Sequence, residues 1–235
     1  MIDTHSHIYS EEFDADGDEV IQRAKEAGVT KIVLPNVDAQ SLPRMLELEA
    51  QYPDYCYAAV GLHPESGKEN YQIELDIIRE ELERRKYLAV AEIGIDLYWD
   101  KTYQTEQIRA FQTQVEWAIE FNLPVIIHVR NSHNETIQAL KPYSGKGLKG
   151  IFHCFGGTPE EAAEIFSLGD FKLGIGGVVT FKNSGLAATL IHIPLEKLVL
   201  ETDSPYLTPV PFRGKRNESS YLRYVAARLS EIYAV

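Results

Sequence analysis

The chain has 235 residues, of which 44% are hydrophobic and 25% are charged, a composition typical of a folded globular protein. Its formal net charge of −12 argues against broad electrostatic capture of nucleic acid or of an anionic membrane surface. The chain shows no apolar stretch of transmembrane length, no leader pattern and only two cysteines. We therefore expect a cytoplasmic protein with reduced thiols, no membrane contact and no obligate protein partner.

Short apolar runs that predict strands alternate with stretches of helical spacing along the whole chain. The predicted strands are Ile2–His7, Lys31–Asn36, Cys56–Leu62, Leu88–Gly94, Pro124–Val129, Gly150–Cys154, Phe171–Gly176 and Leu198–Thr202. The predicted helices are Asp18–Ala27, Gln40–Gln51, Ile73–Arg85, Glu106–Phe121, Pro159–Leu168 and Glu218–Tyr233. Strand–helix alternation indicates parallel strands, and eight units favour one (β/α)8 TIM-barrel domain over residues 1–235. A doubly wound open sheet is the alternative, because alternation alone does not show that the sheet closes.

The first predicted strand carries two histidines separated by one residue, His5 and His7. Because strand side chains alternate between two faces, both imidazoles are expected on the same side. Such a pair on a rigid apolar strand is half of a site for a divalent metal ion. Two core histidines bonded to neighbouring carbonyls would give the same pattern.

Further polar side chains occur at the carboxyl ends of later predicted strands, where barrel enzymes place their active sites. These are Glu92, His128, His153 and Asp203, on the fourth, fifth, sixth and eighth strands. Any one of these residues, taken alone, could be a core residue whose polar group is neutralised by a neighbour. Burying all of them with the histidine pair, without a cation, would cost on the order of a few kcal/mol per group. Together they predict a metal centre.

The number of candidate ligands favours two divalent ions over one. We expect one site formed by His5, His7 and Asp203, a second formed by His128 and His153, and Glu92 as the bridging carboxylate. Two such ions, roughly 4 Å apart, would activate a bridging water and stabilise charge on an attacked phosphoryl or carbonyl oxygen. Asp203 is placed to accept the proton of the water and pass it to the leaving group. The predicted chemistry is hydrolysis, with Mg, Mn or Zn as the candidate ions.

Six segments together resemble the TatD family of metal-dependent deoxyribonucleases, within the amidohydrolase-like barrel superfamily. They are Ile2-Asp3-Thr4-His5-Ser6-His7, Val60-Gly61-Leu62-His63-Pro64, Ala91-Glu92-Ile93-Gly94-Ile95-Asp96, Pro124-Val125-Ile126-Ile127-His128-Val129-Arg130, His153-Cys154-Phe155-Gly156-Gly157 and Glu201-Thr202-Asp203-Ser204-Pro205. They span positions 2 to 205 in the order and spacing of the family. Tyr9 departs from the family pattern, which has an acidic or amide residue after the histidine pair.

The resemblance implies a set of metal ligands and an activity. By resemblance the ligands are His5, His7, Glu92, His128, His153 and Asp203, and Asp203 also transfers the proton. The implied activity is metal-dependent, commonly magnesium-supported, hydrolysis of DNA phosphodiesters, often from the 3′ end. A single strand or a strand end is the substrate that we expect to enter a barrel mouth.

Several residues near the predicted mouth are candidates for holding the substrate. His63 is expected to contact a phosphate or a metal ligand, or only loop backbone. Arg130 lies two residues beyond His128 and is expected to reach an anionic oxygen. The basic cluster after the eighth strand comprises Arg213, Lys215 and Arg216. Its alternative interpretation is a solvated turn.

Aromatic residues and a cysteine complete the candidates. Tyr98, Trp99 and Tyr103 follow the fourth strand and would form either a wall for stacked bases or ordinary packing on the rim. Cys154 is expected beneath the helices, because it faces away from His153 on the same strand.

Three functions fit these features. The first is a metal-dependent phosphodiesterase of the 3′-5′ exonuclease type acting on DNA. The second is a hydrolase of a small-molecule amide, lactone or phosphoester at the same two ions, since related barrels carry many reactions. The third is a binding module without catalysis, against which the complete set of ligands argues.

Overall fold

A computed structural model describes all residues from 1 to 235. The strands are β1 (Ile2–Asp3), β2 (Lys31–Pro35), β3 (Cys56–Ala59), β4 (Val90–Asp96), β5 (Val125–Arg130), β6 (Lys149–Phe152), β7 (Asp170–Ile175) and β8 (Leu198–Leu200). The helices are α1 (Gly17–Glu26), α2 (Leu42–Gln51), α3 (Tyr71–Arg84), α4 (Gln104–Glu120), α5 (His133–Leu140), α6 (Pro159–Leu168), α7 (Leu186–Leu190) and α8 (Leu222–Tyr233).

All strand pairs are parallel and follow chain order, β1 to β3 in one sheet and β4 to β8 in another. Short bridges join the sheets at two seams, one between Val60 and Val90 and one between Ser6 and Ser204. At the second seam the N–H of Asp203 donates to the carbonyl of His5 at 2.9 Å, so the segments after β1 and β8 are neighbours. Strands that pair in chain order, with the first and last strands adjacent, are characteristic of a (β/α)8 barrel. This order confirms the predicted fold class and excludes a doubly wound sheet.

The sequence explains why these segments form strands and helices. The strands are rich in apolar residues, and in β4 every residue is buried, including the acids Glu92 and Asp96. The helices bury one side only, and α6 begins at a capping box in which Thr158 and Glu161 satisfy each other's backbone N–H groups. Polar side chains at the carboxyl ends of the strands therefore have one common place to meet, the mouth of the barrel.

The first strand is shorter than predicted. It ends at Asp3, so His5 and His7 lie in the segment after it and not inside it. The segment stays extended because its backbone bonds alternate between neighbours: Ser6 N–H donates to Val33 and His7 N–H to Ser204. Both rings consequently still face the same side.

Two helices, α5 and α7, were not among the predicted elements. The first contains Asn134 and Thr136, which have weak helical propensity, and the second has only five residues. Packing against the barrel stabilises both. None of the helices combines the length and the apolarity needed to cross a membrane.

Candidate metal centre

The structure brings all six predicted metal ligands together at the floor of the barrel mouth. The pairing of β4 with β5 shifts register between Val90 and Ile93, a stretch that contains Glu92. Register shifts of this kind re-aim a side chain, and here the side chain that points into the mouth is the carboxylate of Glu92. His128 comes from β5, whereas His153 and Asp203 follow the ends of β6 and β8.

The two carboxylate oxygens of Glu92 face different histidine pairs. Its Oε2 lies 3.1 Å from Nε2 of His5 and 3.5 Å from Nε2 of His7. Its Oε1 lies 2.8 Å from both Nδ1 of His128 and Nε2 of His153. One buried carboxylate is therefore shared between two sets of nitrogen donors.

Asp203 completes the set on the side of His5 and His7. Its Oδ1 lies 3.7 Å from Nε2 of each of these histidines, whose Nε2 atoms are 3.2 Å apart. The side chain of Asp203 is 15% exposed, and it faces the cavity above the cluster. A group in this position contacts both the centre and whatever enters the mouth.

In His7 and His128, the ring nitrogen that faces away from the centre has a partner of its own. The hydroxyl of Tyr9 donates to the carbonyl of Pro35, so its oxygen accepts the Nδ1–H of His7 at 3.1 Å. In the same way Nε2 of His128 lies 2.9 Å from the carboxylate of Asp96. These partners keep the proton on the outer nitrogen, and the lone pair of each ring faces the centre.

His153 has a buried acid behind it. Its Nδ1 lies 3.7 Å from Oε1 of Glu201, which is fully buried and also accepts the backbone N–H of Cys154. Gly174 makes room for this carboxylate, since a Cβ there would come within 2.0 Å of Oε2 of Glu201. Gly174 in β7 thus permits close packing of the Glu201 side chain.

The buried charges of the cluster are mutually dependent. Burial lowers the pKa of His5 to about 3, so its ring is a neutral donor. Burial alone would raise the pKa of Glu92, but the surrounding histidines, His153 above all, hold it well below its usual range. Burial opposes a charged ring at His153, yet Glu92 and Glu201 raise the pKa of His153 well above its ordinary value. The carboxylate of Glu92 is therefore stabilised by positive charge beside it.

This arrangement fits divalent cations. Three overlapping groups of donors have their ligand atoms within 4.8 Å of one another: His5, Glu92 and His153; His5, His7 and Asp203; His63, Glu92 and His128. Inside the cluster, Nε2 of His5 lies 3.2 Å from Nε2 of His7, and Nε2 of His153 lies 3.4 Å from Nδ1 of His128, so ring nitrogens that offer lone pairs crowd together around one carboxylate. Imidazole nitrogens and carboxylate oxygens are donors for zinc and manganese alike.

His63 differs from the other histidines of the cluster. Its Nδ1 accepts the backbone N–H of Glu65 at 3.1 Å, so its proton lies on Nε2. That Nε2 is 3.4 Å from Oε1 of Glu92. His63 is consequently arranged as a donor toward Glu92 or toward a substrate oxygen, and not as a metal ligand.

Above the cluster, the mouth is a cavity of about 1170 Å³. Ligand pockets in proteins are commonly roughly 300–1,000 Å³, so this one admits a substrate the size of a nucleotide or more. Arg130 lines it, as expected from its position beyond His128. Cys154 lines it too, and the prediction that this thiol lies beneath the helices is wrong. The chain leaves the strand alternation at Cys154, whose φ is +51°, and this turns the side chain toward the mouth.

The basic cluster after β8 divides into different settings. Arg213 lies over the ring of Phe181 and lines a neighbouring cavity of about 580 Å³, which shares Val178 with the mouth. Arg216 instead forms an ion pair with Asp16 at 2.7 Å and covers Phe13. The prediction that Arg216 belongs to a phosphate-facing cluster is therefore wrong, because an acid on α1's N-terminal side neutralises it.

Three further acids belong to the site although the sequence did not predict a role for them: Asp3, Asp96 and Glu201. Asp3 is fully buried, and its carboxylate accepts the N–H groups of Thr202 at 2.9 Å and His5 at 3.3 Å. It thereby joins the two segments that carry the ligands after β1 and β8. The sequence contains a feature that could have identified these three acids. Each lies in or next to an apolar strand, where a buried charge needs a partner.

Comparison with known proteins gives the family. The family model described as TatD related DNase matches residues 2–235. The uncharacterized metal-dependent hydrolase YabD of Bacillus subtilis is 40% identical over 99% of this chain and 91% of that protein. The protein of Pectobacterium carotovorum named 3′-5′ ssDNA/RNA exonuclease TatD is 33% identical over 98% of this chain and 91% of that protein.

A solved structure agrees with the sequence relatives. The crystal structure of YjjV, a TatD homologue from Escherichia coli K12, superposes with a TM-score of 0.91 at 34% identity and covers 99% of this chain and 90% of that one. The cluster of candidate metal ligands at the barrel mouth and the similarity over the whole chain support the same family assignment. The chain belongs to the TatD-related DNase family and is a metal-dependent hydrolase.

Proposed function

We propose that this hydrolase is a deoxyribonuclease that shortens single-stranded DNA, or strand ends, by hydrolysing phosphodiester bonds in the 3′-5′ direction at two divalent ions. The observation that carries the proposal is the shared carboxylate of Glu92, whose two oxygens face two separate pairs of histidines. The name of the Pectobacterium relative supports the substrate and the direction.

The division of ligands follows the distances. His5, His7 and Asp203 form one site on the Oε2 side of Glu92, and His128 and His153 form the other on the Oε1 side. Two divalent ions held by these residues would supply an activated water at neutral pH and would neutralise charge on the attacked phosphoryl group. Four ring nitrogens favour manganese or zinc in the sites, whereas magnesium prefers oxygen donors.

Residues at and beside the mouth are proposed to transfer the proton and to bind the substrate. Asp203 faces both the cluster and the cavity, so it accepts the proton of the attacking water and returns it to the leaving oxygen. His63 presents its Nε2–H toward the same space. Arg130, at the mouth, and Arg213, in the neighbouring cavity, form no ion pair with an acid and rest on aromatic rings, which leaves their N–H groups for phosphate oxygens.

The direct test is cleavage of an end-labelled single-stranded oligonucleotide by metal-stripped protein, re-supplied separately with magnesium, manganese or zinc. We expect metal-dependent shortening that Asp203→Ala reduces at least 100-fold. Glu12→Ala is the matched control, because this exposed acid lines the same cavity away from the cluster. Equal rates for wild type and Asp203→Ala would contradict the assigned role.

A small-molecule amide, lactone or phosphoester is the second candidate substrate. The lining of the mouth also carries Glu11, Glu12, Asp38 and Glu65, which repel a polyanion that lies across them. Absence of DNA shortening with every ion, together with turnover of a chromogenic phosphoester, lactone or amide, would favour this candidate.

A further inference from the structure

An exposed aromatic surface lies beside the mouth, next to the carboxyl end of β4. It consists of Tyr98, Trp99 and Arg130, which we name the Trp99 platform. Trp99 is 70% exposed and Tyr98 is 49% exposed. The two rings meet edge to face, with centroids 4.6 Å apart. An indole used only for packing on the rim would be largely buried, as large aromatic side chains usually are.

The platform includes an arginine that has no acidic partner. The guanidinium of Arg130 lies 4.0 Å from the centroid of Tyr98 and 5.4 Å from that of Trp99. Stacking uses the face of the guanidinium and leaves its N–H groups free at the edge. Other arginines on the surface, such as Arg79, are paired with carboxylates. Arg130 is thus positioned by rings and available to an anion.

The platform is attached to the metal centre. The backbone N–H of Tyr98 donates to Oδ1 of Asp96 at 2.9 Å, and Oδ2 of the same carboxylate lies 2.9 Å from His128. Arg130 lines the mouth as well as the platform. A nucleic-acid strand that enters the mouth therefore contacts the Trp99 platform immediately outside the mouth. The platform is held in a fixed position relative to the candidate metal ligands.

We propose that the Trp99 platform binds the nucleotide next to the one in the mouth, with its base stacked on the indole of Trp99 and its phosphate on the N–H groups of Arg130. The inference rests on the proposed nuclease function and adds a reason for single-strand preference. A stacked base must be unpaired, so a base inside a duplex does not reach the indole. Stacking on an aromatic ring accepts every base, so the platform selects strandedness and not sequence.

Tryptophan fluorescence tests the contact without any turnover, because the chain has two tryptophans, Trp99 and Trp117. Trp117 lies on α4, half-buried and beside Arg79. We expect oligothymidylate to quench metal-stripped Trp117→Phe, in which Trp99 is the remaining indole. The matched Trp99→Phe variant, which retains Trp117, is expected to show no quenching. Absence of quenching in Trp117→Phe at saturating oligothymidylate would overturn the proposal.

Kinetics provide the second readout. Trp99→Ala is expected to raise KM for the oligonucleotide by about ten-fold or more, with kcat changed less than about two-fold. For an oligonucleotide with an abasic residue at the second position from the 3′ end, wild type and Trp99→Ala should have similar KM values, because no base is present to stack on the indole. An unchanged KM in Trp99→Ala would overturn the platform.

The outcomes separate the platform from the nuclease function. If wild type shortens DNA and Trp99→Ala has the same KM, the platform is wrong and the nuclease function stands. If oligothymidylate quenches Trp99 and no ion supports shortening, the platform stands as a nucleic-acid contact and the nuclease function falls. Neither quenching nor shortening would overturn both.

Discussion

The histidines of the metal centre are oriented by contacts on their outer nitrogens. Tyr9 accepts the Nδ1–H of His7, and Asp96 lies against Nε2 of His128. Such outer partners fix which nitrogen carries the proton and which offers a lone pair. At Tyr9, where the chain departs from the family pattern, a phenol occupies the position of an acid or amide, and it contacts a candidate ligand.

Replacement of Tyr9 by phenylalanine tests this contact. Tyr9→Phe leaves His7 without its acceptor, and we expect the affinity for manganese to fall about ten-fold. Competition with a chromogenic chelator measures the affinity, and a circular dichroism melt shows whether the variant is folded. Tyr206→Phe is the matched control, since this ring also packs against His7 but forms no hydrogen bond to it. Unchanged affinity in folded Tyr9→Phe would show that His7 needs no such partner.

At the scale of elements, the centre depends on how closely neighbouring strands approach. Gly94 and Gly150 have φ values of +151° and +155°, which side-chain-bearing residues rarely adopt. A Cβ at Gly94 would lie 2.0 Å from the carbonyl oxygen of His128, and one at Gly150 would lie 2.0 Å from that of Val125. The two glycines let β4, β5 and β6 converge, and these strands bring Glu92, His128 and His153 within reach of one another.

Gly150→Ala should consequently destabilise the barrel, although the residue lies at the end of β6 away from the mouth. We expect the free energy of unfolding to fall by about 3 kcal/mol or more, because the backbone must shift to admit the methyl group. Gly17→Ala on α1 is the control: no atom lies within 4 Å of its Cβ, and we expect a change below about 1 kcal/mol. Urea unfolding measures both. Equal midpoints for the two variants would contradict the close approach.

The positions of the six candidate ligands could be predicted from sequence, because strand ends in a parallel barrel share one face. The details could not. The register shift around Glu92 depends on pairing between β4 and β5, and the turn at Cys154 depends on a left-handed residue that ended the alternation. The pairing of Arg216 with Asp16 joins residues 200 positions apart, and no local pattern announces it.

At the scale of the whole molecule, an ion-pair network fastens the segment after β8 to the first helix. Arg216 and Arg23 both contact Asp16, and Arg23 also contacts Glu218. Hydrogen bonds from Arg216 lower the pKa of Asp16 to about 2. A carboxyl group with a lowered pKa stabilises the fold fully above its ordinary pKa, near 4, and loses that contribution as the pH falls toward 2.

Asp16→Asn should therefore lower Tm at pH 7, with an effect on the order of 1 kcal/mol or less, because the pair is partly exposed. The difference from wild type should shrink steadily below about pH 4, because the carboxyl group of Asp16 takes up a proton in the unfolded chain at a higher pH than in the folded protein. Calorimetric melts at pH 7, 5, 4 and 3 measure this, with Asp170→Asn, an exposed acid 3.7 Å from Lys197, as the control. A difference that stays constant down to pH 3 would contradict the assigned pair.

Anomalous X-ray diffraction from a crystal soaked with manganese tests the centre most directly. We predict two peaks at the floor of the mouth, one on each side of the Glu92 carboxylate, the first among His5, His7 and Asp203 and the second between His128 and His153. The second peak should disappear in His128→Ala while the first persists. A single peak, or peaks away from Glu92, would contradict the two-ion centre on which the proposed hydrolysis depends.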